Sequence, residues 1–342
     1  ISAGDPAAAT VSPPAAPSHG ATPAVQSSRP FSRVFDIATS SVLTDVMAIA
    51  TVTPDQGVSF DFLWSIDGGR TWLPFPTLPH GWIPFPDLAV VPRGDSRQPV
   101  RFILGDGRHL YRSGDFGMTW ALSFTVPTIY CQLEQVQSSA MSQVLYVEQI
   151  CDDTPPFPLR AGSIGRQITF YTSEDGGVTW RALGVTNLSH LTPSPTVPNR
   201  LYASDLTGFL NYRSDDNGQT WHQFNTLRRD FVVLDAVDPD RQYAIADTNF
   251  YVPSTQVLQV SLDSGVTWQN WASSPCLVYP SFLSFSGAPP LVSTGVGELW
   301  ARCAWTDDWY YSGDSGDTWR WKASSDTKVL AADIGHPGSA LM

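Results

Sequence analysis

The chain has only four glutamates, Glu134, Glu148, Glu174 and Glu298. Two carboxylates held on one sheet can protonate a leaving oxygen and activate a water, which is the chemistry of glycoside hydrolysis. Glu134 and Glu148 fall in consecutive strand-like segments, IYCQLEQV (129–136) and VLYVEQI (144–150), so they could form such a pair. Their glutamine neighbours and the cysteines beside them describe a polar wall instead. Asp152–Asp153 and Asp307–Asp308 sit in loop-like text and read as solvated. The six histidines (19, 80, 109, 190, 222, 336) are scattered and no Cys-x-x-Cys occurs, so neither a metal site nor any cofactor is expected. No Gly-x-Ser-x-Gly elbow, phosphate loop or His-Glu-x-x-His motif appears.

What does recur is Ser-x-Asp-x-Gly-x-Thr-Trp, six times without a mismatch. It reads SIDGGRTW from Ser65, SGDFGMTW from Ser113, SEDGGVTW from Ser173, SDDNGQTW from Ser214, SLDSGVTW from Ser261 and SGDSGDTW from Ser312. The aspartates are Asp67, Asp115, Asp175, Asp216, Asp263 and Asp314, spaced by 48, 60, 41, 47 and 51 residues. The tryptophans are Trp72, Trp120, Trp180, Trp221, Trp268 and Trp319. Asp and Ser side chains cap nearby backbone N–H groups, and Gly supplies a left-handed turn residue. Thr and Trp then open the next strand, with an indole large enough to fill the space between packed sheets. The motif is a self-capped hairpin turn with its own apolar plug, and it needs no ligand.

Between the boxes lie short strands, for example IYCQLEQV, VLYVEQI and ITFYTS (168–173), then FVVLDAV (231–237), QYAIAD (242–247) and QVLQVS (256–261). Four strands in a repeat of about 50 residues is the signature of a β-propeller. The fold expected is all-β: a six-bladed β-propeller of four-stranded antiparallel blades. Before the first box, VMAIATV (46–52) and VSFDFLWS (58–65) read as second and third strands. VLAADIGHPGSALM (329–342) resembles VVLDAVDPDRQYAIA (232–246), where an innermost strand leads into a second. The expectation is therefore that 329–334 completes the first blade, closing the ring by pairing of N- and C-terminal strands. FSRVFDIAT (31–39) is the competing segment.

Composition agrees: 13 Trp, 17 Phe and 11 Tyr with 26 Gly and 28 Pro suit many strands and tight turns. A net charge of −12 speaks against nucleic acid as a partner, and no apolar run reaches the ~20 residues of a membrane span. Residues 1–30 hold eight Ala and six Pro and read as an arm preceding a propeller over 31–342; its ATVS and AVQSS stretches could add to an exposed blade edge. The first residue is Ile1 rather than Met, consistent with a trimmed product. Cys131 with Cys151, and Cys276 with Cys303, each fall between consecutive boxes. Two intrablade disulfides bridging neighbouring strands, and hence a secreted or cell-surface location, are expected; four buried thiols are the alternative. Asn187-Leu188-Ser189 is a single glycosylation sequon.

The repeated motif closely resembles the Asp-box (BNR) repeat of sialidase-like and sortilin-like propellers, over about Phe31–Met342. That resemblance implies that each box joins the third and fourth strands of a blade, on its outer side. The family spans sialidases, other glycoside hydrolases, sortilin-type receptors, photosystem assembly factors and many proteins without assigned activity, so it implies a fold and leaves function open. A sialidase-like enzyme would need an arginine cluster, a tyrosine nucleophile polarised by a glutamate, and an acid/base aspartate. The early Arg-Ile-Pro signature is absent; the nearest text is RPFSRVFD, with Arg29 and Arg33. Arg108, Arg112, Arg213 and Arg302 are further candidates, and Glu298 with Tyr310 or Tyr311 is the nearest nucleophile pair. β-Glucan hydrolases of this kind often pair two propellers, and one fits here.

The preferred reading is a secreted non-enzymatic β-propeller, an extracellular or cell-surface binding or structural module, with self-assembly through its N-terminal arm as one form of it and a passively packed tail as the alternative for that arm. Its partners would be other copies of itself, another extracellular protein or a glycan. GWIPFPD (81–87), DDTPPFPLR (152–160) and CAWTDDWYY (303–311) are the aromatic loop segments for such contacts, unless those rings pack between blades. The alternative is a sialidase-like glycoside hydrolase acting on extracellular glycans.

Overall fold

The computed structural model describes residues 34–39, 46–53, 59–67, 69–79, 87–91, 101–139, 143–152, 166–184, 188–205, 211–225, 232–247, 256–276, 291–303, 308–324, 331–332 and 340–341. Six four-stranded antiparallel sheets follow one another along the chain as the blades of a ring, with no helix among the described residues. Blade 1 comprises β1 (Val34–Thr39), β2 (Met47–Thr53), β3 (Ser59–Ser65) and β4 (Leu73–Pro74). Blade 2 comprises β5 (Asp87–Val91), β6 (Arg101–Gly105), β7 (His109–Ser113) and β8 (Ala121–Thr125). Blade 3 has β9 (Cys131–Ser138), β10 (Leu145–Asp152), β11 (Arg166–Ser173) and β12 (Arg181–Ala182). Blade 4 has β13 (Leu188–Pro193), β14 (Leu201–Asp205), β15 (Asn211–Ser214) and β16 (His222–Asn225). Blade 5 has β17 (Val232–Leu234), β18 (Gln242–Asp247), β19 (Gln256–Ser261) and β20 (Gln269–Ser273). Blade 6 has β21 (Leu291–Gly295), β22 (Glu298–Arg302), β23 (Asp308–Ser312) and β24 (Arg320–Ser324), and a final hairpin pairs β25 (Ala331–Ala332) with β26 (Ala340–Leu341).

Second strands read as continuous apolar runs because both their faces are covered. Phe102, Ile103 and Leu104 of β6 are all fully buried: Phe102 and Leu104 join the core shared with blade 1, Ile103 the core shared with blade 3. Each such side chain stabilises the fold by about 1.5–3 kcal/mol on burial. Fourth strands face water, as the exposed pattern of β8 shows.

The boxes join third to fourth strands and are built alike. In the first, Ser65 Oγ donates to Asp67 Oδ1 at 2.8 Å and accepts from Gly69 N at 2.9 Å. Thr71 gives its N–H to Asp67 Oδ1 at 2.9 Å and its hydroxyl to Oδ2 at 2.6 Å. The same set recurs around Asp115, Asp175, Asp216, Asp263 and Asp314. The glycine is left-handed as expected, and in the last five boxes so is the residue before it, as in Asn217 (φ 61°) and Gly218 (φ 81°). At Gly117 a Cβ would also meet the Phe75 ring of blade 1 at 2.2 Å. The box tryptophans fill the seams between blades: Trp120 packs edge-on against Phe75, Trp180 against Phe124, and Trp221 against Phe170, each in the preceding blade.

The first blade corrects one expectation. Its innermost strand is β1, from the competing segment 31–39, pairing with β2 from Thr39↔Met47 to Val34↔Thr51. β25, from the segment expected there, pairs instead with β26 and lies against β1 and β21. Both disulfides form: Cys131–Cys151 links directly paired residues of β9 and β10, while Cys276–Cys303 ties the connection entering blade 6 to the end of β22. Cys276 therefore lies outside a strand, so the second bridge is not a cross-strand link. The arm (1–30), Arg29, Arg33, Asn187 and the loop segments 81–86 and 153–160 lie outside the described residues.

Candidate functional site

Glu134 and Glu148 are direct cross-strand partners, yet their surroundings differ. Glu134 is exposed and accepts from Gln132 Nε2 at 2.9 Å. Glu148, 6% exposed, accepts from the backbone N–H of His190 in blade 4 at 3.0 Å. His190 is left-handed (φ 56°) within an irregularity of β13, which turns that N–H toward the neighbouring blade. Other inner carboxylates do likewise. Asp87 of blade 2 accepts from Val136 N of blade 3. Asp235, 1% exposed, accepts from Tyr243 Oη at 2.9 Å and from Gly297 N of blade 6 at 3.1 Å. These acids are the ties between blades, each filling a donor that burial would otherwise leave unpaired.

Arginines make a second set of ties that the sequence reading missed. Arg101 donates to the Asp175 carbonyl at 2.6 Å, Arg200 to Ser264 Oγ at 3.3 Å and Arg241 to Ser315 Oγ at 2.9 Å. Each stands at the start of a second strand or one residue before it, and reaches the box of the next blade. A signal existed for two of them: Pro-x-Arg-x-Tyr occurs at Pro198–Tyr202 and again at Pro239–Tyr243.

The tyrosine–glutamate pair is found on blade 6. Tyr311 stands close enough to Glu298 to feel its charge, and Glu298 Oε2 accepts from Thr294 Oγ1 at 3.2 Å. Trp300 lies 5.0 Å from the Tyr311 ring, and Lys322 Nζ sits 5.0 Å from its centroid. Burial first, then the Glu298 charge, raise the Tyr311 phenol above its ordinary pKa, opposite to the lowering that would ready it as a nucleophile. Tyr310 points to the other face, paired with Ala301 and Trp321, whose indole is 58% exposed and donates to Asp308 Oδ1 at 3.1 Å. Among the described candidate arginines, Arg108 and Arg112 belong to blade 2 and Arg213 to blade 4, bound to Asp215 at 3.1 Å, so these three do not converge on this pair. Arg302 ends β22 of blade 6 itself. Trp309 is fully buried between strands, and Leu188 and Ser189 of the sequon are buried in β13.

Glu298 and Tyr311 occupy the face of blade 6 turned away from blade 5. Leu299, Ala301 and Trp319 pack with Tyr243, Ile245, Leu258 and Val260 of blade 5, whereas Trp300 and Trp309 pack with Val292 and Tyr311. Counting from the box serines, Gln242↔Ser261 corresponds to Leu299↔Ser312, so Glu298 stands where blade 5 has Arg241. Trp300 likewise stands at Tyr243, Trp309 at Leu258 and Tyr311 at Val260. In blade 5 those positions receive the box of blade 6. In blade 6 they form the closing face of the ring.

Blades and boxes together make the chain an Asp-box (BNR-type) β-propeller. The family model described as BNR/Asp-box repeat matches residues 212–223, around the fourth box. The chain is 16% identical to a solved YCF48 bound to D1 peptide, with a TM-score of 0.53 over 84% of this chain and 81% of that one. YCF48 from Cyanidioschyzon merolae is also 16% identical, with a TM-score of 0.51 over 84% of each chain. A GH74 enzyme from Niastella koreensis is 16% identical over 84% of this chain and 47% of its own, with a TM-score of 0.34. No curated protein matches the chain in sequence. Identities this low show a shared fold alone.

Proposed function

We propose that this propeller is a non-enzymatic binding and structural module of an oxidising extracellular or cell-surface compartment, presenting a rigid ring to another protein or glycan. The observation that carries this reading is the use of its buried acids. Glu148 and Asp235 are engaged by backbone N–H groups of the next blade, leaving them as braces rather than proton shuttles. The paired cysteines support an oxidising location, since such bridges persist where thiols are not kept reduced. A propeller of similar fold has been solved with a peptide bound, which fits a binding role.

One observation favours a glycoside hydrolase instead: Tyr311 and Glu298 share one face of blade 6, close enough for the glutamate charge to act on the phenol. Incubation with sialosides and β-glucans separates the readings. The binding module is expected to release no sugar above a buffer control. Turnover by the native chain that Tyr311→Phe and Glu298→Gln both abolish would overturn it.

A further inference from the structure

The last twelve residues repeat the first half of a blade. Ala331–Met342 (AADIGHPGSALM) set beside Val233–Ala244 (VLDAVDPDRQYA) matches Asp333 with Asp235 and Pro337 with Pro239. The strand register agrees residue for residue: Ala331↔Leu341 and Ala332↔Ala340 correspond to Val233↔Tyr243 and Leu234↔Gln242. β25 lies against both β21 and β1, the place an inner strand takes between two neighbours. The final hairpin is therefore the inner half of a seventh blade, wedged between blades 6 and 1. Among the described residues β26 pairs with β25 alone, so its outer edge is open.

A second observation comes from the face of blade 6 turned away from blade 5. Trp300 (5% exposed) and Trp309 (0% exposed) of the closing face carry buried indole N–H groups without a hydrogen-bond partner. Buried donors of this kind normally have acceptors, and each costs about 1–3 kcal/mol when left without one. Trp309 is on the third strand of blade 6, so a third strand of the seventh blade would lie in front of it.

We propose that the edge of β26 is a strand-acceptor site and that its occupant is the chain's own N-terminal arm, within Ala24–Arg29. The arm leads into β1, which lies against β25, so it starts beside the site. Pro23 and Pro30 bracket Ala24–Arg29 and leave it free of proline, as an added strand requires. Beyond it, Pro30–Arg33 can span about 13 Å, against strand spacings of about 4.8 Å. Gln26, Ser27 and Ser28 carry acceptors that suit the two indoles. A tether this short holds the arm at an effective millimolar concentration, which favours it over the arm of a second copy.

Hydrogen exchange on the full chain, beside Val25→Pro and a version lacking residues 1–28, tests this. In the native chain, peptides covering 24–29 and 331–342 should both exchange slowly. In both variants exchange over 331–342 should rise at least tenfold, while β6 and β10 stay protected and show that the propeller still folds. Light scattering should give a monomer at every concentration. Exchange of 24–29 at the rate of an unstructured peptide, or no change over 331–342 in either variant, would overturn the proposal. So would protection that appears only in a dimer or larger species, because the occupant would then be a second copy.

Discussion

A box aspartate holds two hydroxyl and at least one amide hydrogen with its two oxygens, and that donor set fixes its titration. Asp67, Asp175, Asp216 and Asp314 are lowered to about 2, and Asp115 and Asp263 are also lowered. In Asp67, Asp216 and Asp314 the Thr hydroxyl is the largest cause; in the other three, hydrogen bonds outweigh an opposing burial. A carboxyl whose folded pKa lies below its unfolded value stabilises the fold at every pH above the unfolded value. That contribution shrinks as pH falls toward the folded one. The melting temperature should therefore be insensitive to these groups from neutral pH to about 4 and fall between about 4 and 2. Calorimetry across that range checks it, and Asp175→Asn should melt lower at pH 7 with a shallower acid limb. All of this chemistry was legible in the sequence because the partners lie within four residues. The ties made by Glu148, Asp235 and Arg101 were not, since their partners are set by which blade faces meet.

At the scale of the strand and hairpin, local pairing decides most of the outcome and long-range choice the rest. Third strand, box and fourth strand are contiguous, and apolar runs such as Phe102–Leu104 mark second strands covered on both sides. The inner strand of blade 1 was ambiguous because 31–39 and 329–334 are both short and apolar. Only the meeting of chain ends selects between them. The two disulfides act at this scale too. Cys131–Cys151 closes a loop with a sequence separation of 20, and removing such a bridge costs about 3 kcal/mol in the chain-entropy picture. A Cys131→Ser/Cys151→Ser double variant should unfold at correspondingly lower denaturant, with a somewhat steeper transition because the denatured chain is less constrained.

Across the whole molecule, no blade owns its core. The cluster built on Phe62 and Phe102 belongs to blades 1 and 2, and that built on Ile103 and Leu145 to blades 2 and 3. A single blade cut from the ring leaves both faces wet, below the burial that a small domain needs. Residues 131–182, blade 3 with its disulfide, should thus be unfolded alone. A far-ultraviolet circular dichroism spectrum without strand signal is the expected result, and a cooperative melt of that fragment would contradict it. The count of six full blades was readable from the boxes. The inner-strand pattern of 329–342 was readable too, but no box follows it, so its place was read as the first blade, where β1 stands instead.

The packing of Trp120, Trp180, Trp221 and Trp319 onto the preceding blade gives the ring a direction. On the ribosome a blade is left with one greasy side uncovered until the next has emerged, so folding runs one blade behind synthesis. The nascent chain exposes its newest seam and the free face of blade 1 to chaperones and to aggregation, and the closure between blades 6 and 1 covers the last of them.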